Sequence, residues 1–260
     1  MKLILDLEQA LRILEPVAIA ILLGRIAAQR LLGLYKAFAA YLLIWLCQDI
    51  APVALGLNLG GDRYALFFFI SEPFAWIFAY LVLIELFDLT LADFPGIRSA
   101  GRMVLYAGIL LSVVVAAAMA IPSLLHLGGT GWLYILYMVI ERSVMILSLI
   151  LLGALQVLMV RSSLQLPLNT VRYSRVYAIH FATRAVQVFV FGELDRNLVS
   201  LGNVAASLID IACVSYLALS LTRTGVHAHA VAGAKLSEED RQNLRKRLES
   251  VNTLLGRLGR

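Results

Sequence analysis

Apolar residues fill this chain in long runs broken at short polar intervals, and the run lengths predict helices that cross a membrane. A helix rises 1.5 Å per residue, so about 20 apolar residues reach across the ~30 Å hydrocarbon core of a bilayer. Seven segments meet that length: 12–32, 37–57, 64–87, 103–121, 132–160, 173–192 and 201–222. The first is crowded by Arg12, Glu15, Arg25 and Arg30, and its helix could begin earlier, near Leu3. The fifth is longer than a span requires, an excess that tilt or protrusion absorbs.

Composition points the same way. Of 260 residues, 61% are hydrophobic and 15% charged, and the mean hydropathy is +0.85. Soluble domains hold about 45–50% apolar and about 25% charged residues, so a water-soluble core is the wrong class. The expected fold class is all-α. It is a polytopic membrane protein, a seven-transmembrane-helix bundle over residues 1–224. A linker at 225–235 and a basic, amphipathic, cytoplasmic helix at 236–260 follow it. The location implied is a membrane crossed several times, with a bacterial plasma (inner) membrane as the setting. A cleaved signal peptide is not expected, because Asp6 and Glu8 stand where its positive region would be.

The net charge of +5 comes largely from arginine. Nucleic acid is not the expected partner, since the basic residues lie at helix ends and in the tail. Their distribution sets an orientation by the positive-inside rule. With the N-terminus outside, 16 Lys and Arg fall on the cytoplasmic side against 4 outside, leaving Arg142 and Arg184 within spans. N-out, C-in is therefore the expected topology.

"LNLGGD" (57–62) and "LGGTG" (127–131) read as external turns. The inner connection 88–102 reads as a wetted loop with a turn at Asp93-Phe94-Pro95-Gly96. In the fourth span Gly108, Ser112, Ala116 and Ala120 make a stripe of small side chains. Such a stripe suits close packing inside the bundle or, alternatively, a homodimer contact. In the tail, Ser237 and Asp240 suggest a capping box. Leu244, Leu248, Val251, Leu255 and Leu258 form an apolar seam beside Arg241, Arg245, Lys246 and Arg247. That pattern fits a helix lying on anionic lipid headgroups, or docking on a cytoplasmic protein.

Chemistry is scarcer. Cys47 and Cys213 sit in apolar spans as small side chains, and no CxxC or Cys/His zinc spacing occurs. The His227/His229 pair is a weak metal signal, and neither a metal nor a cofactor is expected. The informative feature is a set of charges inside the spans. Counted from the outer end of each span, Asp49, Glu72, Glu141, Arg142, Arg184 and Asp210 all lie eight to ten residues deep. That places them about 12–15 Å below the outer surface. A lone charge at mid-bilayer costs at least ~2.5–3.5 kcal/mol, so such groups turn inward and pair, or line water. Arg142 or Arg184 is expected to reach Glu72 or Asp210. Four carboxylates against two guanidiniums leave an acid excess for a proton, a cation or water to answer.

Trp45, Trp76 and Tyr137 stand one turn from Asp49, Glu72 and Glu141. Acid beside an aromatic face suits an organic cation, although aromatics are common in apolar spans. Gln48, Pro52, Ser71, Ser143, Gln187 and Ser207 could complete the polar lining. His180, one turn from Arg184, reads as a hydrogen-bonded lining residue; no second intramembrane histidine is present to pair with it on a haem. Pro73 after Glu72 frees a helical carbonyl and makes room beside the acid.

The layout matches that of microbial rhodopsins and G-protein-coupled receptors, but the motifs do not follow. All four lysines (Lys2, Lys36, Lys235, Lys246) lie outside the spans, so no retinal Schiff base can form there. The third span ends "IELFD" and the seventh "YLALSLTR", so neither Asp-Arg-Tyr nor Asn-Pro-x-x-Tyr closes its span. HExxH and GxSxG are absent, so an enzyme is not expected. The leading expectation is a receptor or sensor. It would bind a small cationic or protonatable molecule in an outward-facing polar pocket and signal to a cytoplasmic partner. A proton- or ion-coupled transporter is the alternative, although the only internal echo is "LEPVA" with "SEPFA". A third reading is an accessory subunit whose charges are interhelical salt bridges.

Overall fold

Seven long helices follow one another in the computed structural model, which describes residues 2–56, 62–126, 131–161, 165–190, 196–226, 229–231, 246 and 249–254. They are α1 (Lys2–Ala28), α2 (Lys36–Ala54), α3 (Asp62–Thr90), α4 (Pro95–His126), α5 (Gly131–Arg161), α6 (Leu168–Val190) and α7 (Arg196–Ser220). Among the described residues, four stretches are long and apolar enough to cross a membrane: Lys36–Ala54, Leu66–Thr90, Val139–Val160 and Val199–Ser220. The chain is thus a helical, multi-pass membrane protein. In α1 the charges Arg12, Glu15 and Arg25 interrupt the apolar run, and in α6 Arg175, His180, Arg184 and Gln187 do so.

The apolar surface is turned outward. On α3, Leu66, Ile70, Phe74, Ile77 and Leu81 recur every three or four residues, and all five are exposed. A stripe this long on a water-soluble protein would drive association. In hydrocarbon it is the face that lipid tails cover, while polar side chains find partners inside. Most of the external turn at 57–62, that at 127–131, and Leu244, Leu248, Leu255 and Leu258 of the tail seam lie outside the described residues, as do Ser237, Asp240 and His227.

The chain folds into two compact units, one of residues 1–82 and 179–223 and the other of 83–178 and 224–260. In the first unit α1 packs on α7 and on α2. Its inward stripe runs Leu11, Glu15, Ile19, Leu22, Ile26, with only Glu15 polar. Arg25 donates through Nη2 to the Leu219 carbonyl at 3.2 Å, a cation on one of the last, otherwise unbonded carbonyls of α7. In this unit three helices carry an internal proline: Pro16, Pro52 and Pro73.

α1 ends in a Schellman turn. Leu31 N–H bonds the Ile26 carbonyl at 2.9 Å and Arg30 N–H that of Ala27 at 3.0 Å. The residue between helix and loop must adopt the left-handed conformation, and Arg30 does so with φ of 57°. Ile26 and Leu31 are both buried, the apolar contact that accompanies this motif. After α2 a glycine, Gly56, takes the same conformation at φ of 61°.

The second unit packs α4 on α5. A Cβ on Gly108 would lie 3.3 Å from Leu147 Cδ1, so this member of the small-residue stripe faces α5 within the unit. The side chains of Ser112, Ala116 and Ala120 are outside the described set. Gln156 Nε2 donates to Ser174 Oγ at 2.8 Å, tying α5 to α6. Asp88 at the end of α3 accepts from Arg98 Nε at 2.8 Å and Arg102 Nε at 2.7 Å, closing the corner into α4. The turn expected at 93–96 occupies 91–93, and α4 begins at Pro95. β1 (Gln165–Pro167) pairs antiparallel with β2 (His229–Val231), Gln165 opposite Val231. Part of the expected linker is thereby a strand.

Arg30→Gly should raise unfolding stability in detergent by about 1 kcal/mol, since glycine carries no Cβ penalty at positive φ. Gly108→Val should lower it by roughly 1–3 kcal/mol by overpacking the Leu147 contact. Equilibrium unfolding of the purified protein reads both.

Candidate functional site

Four helices of the first unit bring acids to one place. Glu15 comes from α1 and Asp49 from α2, Glu72 from α3 and Asp210 from α7. α6 answers with His180 and Arg184, one turn apart on one face. Each acid interacts electrostatically with Arg184.

Asp210 is the hinge of the arrangement. Its side chain is 1% exposed, and Oδ1 lies 2.6 Å from His180 Nδ1. Oδ2 lies 3.1 Å from Arg184 Nη2, an ion pair at an angle outside hydrogen-bond geometry. A carboxylate can only accept, so a His180 proton sits on Nδ1, and in the neutral ring Nε2 is left to accept. Tyr41 supplies that donor, with its hydroxyl 3.1 Å from Nε2. Asp210, His180 and Tyr41 thus form a hydrogen-bonded chain across α7, α6 and α2.

Arg184 has three further neighbours. Its Nη2 stands 3.8 Å from Glu15 Oε1, and its Nη1 donates to Gln187 Oε1 at 3.3 Å. Its Cζ lies 5.6 Å over the Trp45 ring, within cation–π range. The aromatic face one turn from Asp49 is therefore occupied by the protein's own cation. Trp45 also packs on the His180 ring, with centroids 4.9 Å apart. The Arg184 side chain keeps 35% exposure, against 12% for Glu15.

The remaining two acids have no basic side chain within ion-pair distance among the described residues. Glu72 Oε2 accepts from Gln48 Nε2 at 2.9 Å, and the same amide nitrogen reaches Ser71 Oγ at 3.2 Å. Trp76, buried one turn on, lies beside that carboxylate. Asp49 is different. Its Oδ2 is buried and accepts no hydrogen bond. An acceptor left in that state costs about 1–3 kcal/mol, more when charged, so it calls for a donor.

Of the residues picked out by depth in the sequence, the structure gathers Asp49, Glu72, Arg184 and Asp210 here, with Trp45, Gln48, Trp76 and His180. Glu141, Arg142 and Tyr137 belong to the second unit, where all three are half-buried. Sequence reasoning missed Glu15 and Tyr41. Glu15 was legible twice: it interrupts an otherwise apolar 4-4-3-4 stripe, and its "LEPVA" echoes the "SEPFA" around Glu72. Ser207 of α7 lies beside Glu15, and Gln187 Nε2 donates to Asn203 Oδ1 at 3.4 Å. Among the described residues no three of His, Cys, Asp and Glu converge to hold a metal ion.

Asp210→Asn should destabilise the protein by roughly 2–3 kcal/mol. That is below the ~3–5 of a fully buried pair, because Arg184 is a third exposed. Tyr41→Phe removes one neutral hydrogen bond and should cost about 1 kcal/mol. Detergent unfolding curves of both variants against the parent provide the check. In comparisons with protein families, curated proteins and solved structures nothing matches this chain, so the site's own chemistry carries the functional reading.

Proposed function

We propose that this protein is a membrane receptor or sensor that binds a small cationic or protonatable molecule against Asp49 and Glu72. The observation that carries the reading is the Asp49 carboxylate, whose buried Oδ2 has no hydrogen-bond donor among the described residues. An ammonium or amidinium group supplies the missing charge-assisted hydrogen bonds. Gln48 and Ser71 are the polar side chains beside Glu72. All seven helices are read as spans with the N-terminus outside and the C-terminus inside, an orientation resting on the arginine asymmetry between loops. The site then opens outward, and a shift of α2 against α6 and α7 passes through the Tyr41–His180–Asp210 chain toward a cytoplasmic partner.

One observation favours a second reading. A hydrogen-bonded Tyr–His–Asp chain next to unbalanced acids is also what a proton-coupled carrier needs.

Stability and binding separate a ligand acid from a structural one. Asp49→Asn should leave unfolding stability unchanged or raise it, because it removes a buried charge with no hydrogen bond on Oδ2 and no ion-pair partner among the described residues, whereas Asp210→Asn lowers it. Small organic amines should raise the melting temperature of the parent protein in nanodiscs, and Asp49→Asn should abolish that shift. If Asp49→Asn destabilises as Asp210→Asn does and no amine shifts the parent, the acids are structural glue and the receptor reading fails. Uptake of an amine into proteoliposomes under a pH gradient, lost in Glu72→Gln, would assign the carrier instead.

A further inference from the structure

The first turn of α4 is closed from a distance. Pro95 suits the first position of a helix, where its missing N–H would have had no partner. The residue before it, Phe94, accepts the first helical bond from Arg98 N–H at 2.9 Å, but its side chain has no oxygen with which to cap the turn. Ser, Thr, Asp or Asn normally stands there. Asn252 takes over the task. Its Oδ1 accepts from Gly96 N–H at 2.5 Å and from Ile97 N–H at 3.2 Å, across 156 and 155 residues of chain.

Asn252 belongs to a helical stretch, 249–254, in the same unit as α4. While Asn252 is bound, the apolar side chains next to it are not covered: Val251 is 45% and Leu254 57% exposed. Lys246 is exposed as well, and in the sequence it stands among Arg241, Arg245 and Arg247. Among the described residues, Asn252 of this segment bonds α4 while Val251 and Leu254 stay open beside it, and in the sequence its flank is basic. That chemistry fits the anionic surface of a bilayer leaflet, which attracts each basic side chain and takes in the apolar edge.

We propose that the C-terminal segment is a releasable clamp on α4: Asn252 closes the first helical turn, and an anionic lipid surface draws the segment away from it. Each basic side chain adds attraction to such a surface, so lipid charge decides between that surface and the cap. Asp88, holding Arg98 and Arg102, keeps the α3–α4 corner folded in both states, so release opens the first-turn amides without unfolding the helix. The clamp does not rest on the ligand reading and stands or falls separately from it.

Amide hydrogen exchange over residues 95–98 tests the clamp on the full-length protein in nanodiscs. One set holds phosphatidylcholine alone and the other an equimolar mixture with phosphatidylglycerol. The parent protein should be protected in the neutral lipid and exchange about five-fold faster in the anionic mixture, the effect of losing one cap. Asn252→Ala should exchange fast in both lipids, and Asn252→Asp, which keeps an acceptor, should restore protection in the neutral one. Equal exchange of the parent in the two lipids overturns the release. Asn252→Ala behaving like the parent, or Asn252→Asp failing to rescue, overturns the cap.

Discussion

A carboxylate surrounded by hydrocarbon must be answered on both oxygens, and the first unit of this protein is arranged around that requirement at Asp210. His180 meets one oxygen and Arg184 stands against the other. Both come from α6, one turn apart, so a single helix face holds α7 at two points. Each partner is then committed further: His180 to Tyr41 on α2, and Arg184 to Glu15 on α1 and the Trp45 face. The demand of one buried charge thus fixes four helices relative to one another. Packing alone would leave them freer, because lipid tails are as apolar as leucine and give helices little reason to associate.

The same solvent explains the rest of the surface. The α3 stripe from Leu66 to Leu81 looks outward because outside is oil. α1 shows both sides of the rule, with Ile13, Leu14, Val17 and Ile21 exposed on one face and Ile19, Leu22 and Ile26 buried on the other. Apolar residues on both faces carry no information about which side is inward. The one acid in the stripe does, since Glu15 has its basic partner, Arg184, on the inward side.

That asymmetry decides what the sequence could reveal. Runs of apolar residues mark helices strongly, because length and backbone hydrogen bonding in oil admit few alternatives; the seven expected segments each coincide with a helix. Asp49, Glu72, Arg184 and Asp210 were legible as a group because charges in apolar runs are few and share a depth. Glu15 was masked by Arg12 and Arg25, which made its helix look like a weak span with charged ends. Tyr41 was hidden because an aromatic in an apolar run is usually packing, and only its hydroxyl's position distinguishes it. The β1–β2 pair spans three residues on each strand, too few to leave a periodicity. The bond between Asn252 and α4 joins positions far apart in the chain, and no local pattern encodes it. Conversely, Glu141 and Arg142 share the depth of the cluster yet belong to the other compact unit, since depth along a span does not specify the neighbour it faces.

The prolines inside α1, α2 and α3 have a mechanical corollary. Pro16 follows Glu15, Pro73 follows Glu72, and Pro52 stands three residues after Asp49. Each removes one rung from its helical ladder, leaving a carbonyl a turn earlier without its intrahelical donor. Three of the four acid-bearing helices are therefore least stiff at the level of their own acids. A change of charge there meets rods already notched at that height, so the bundle bends where it is electrically most responsive.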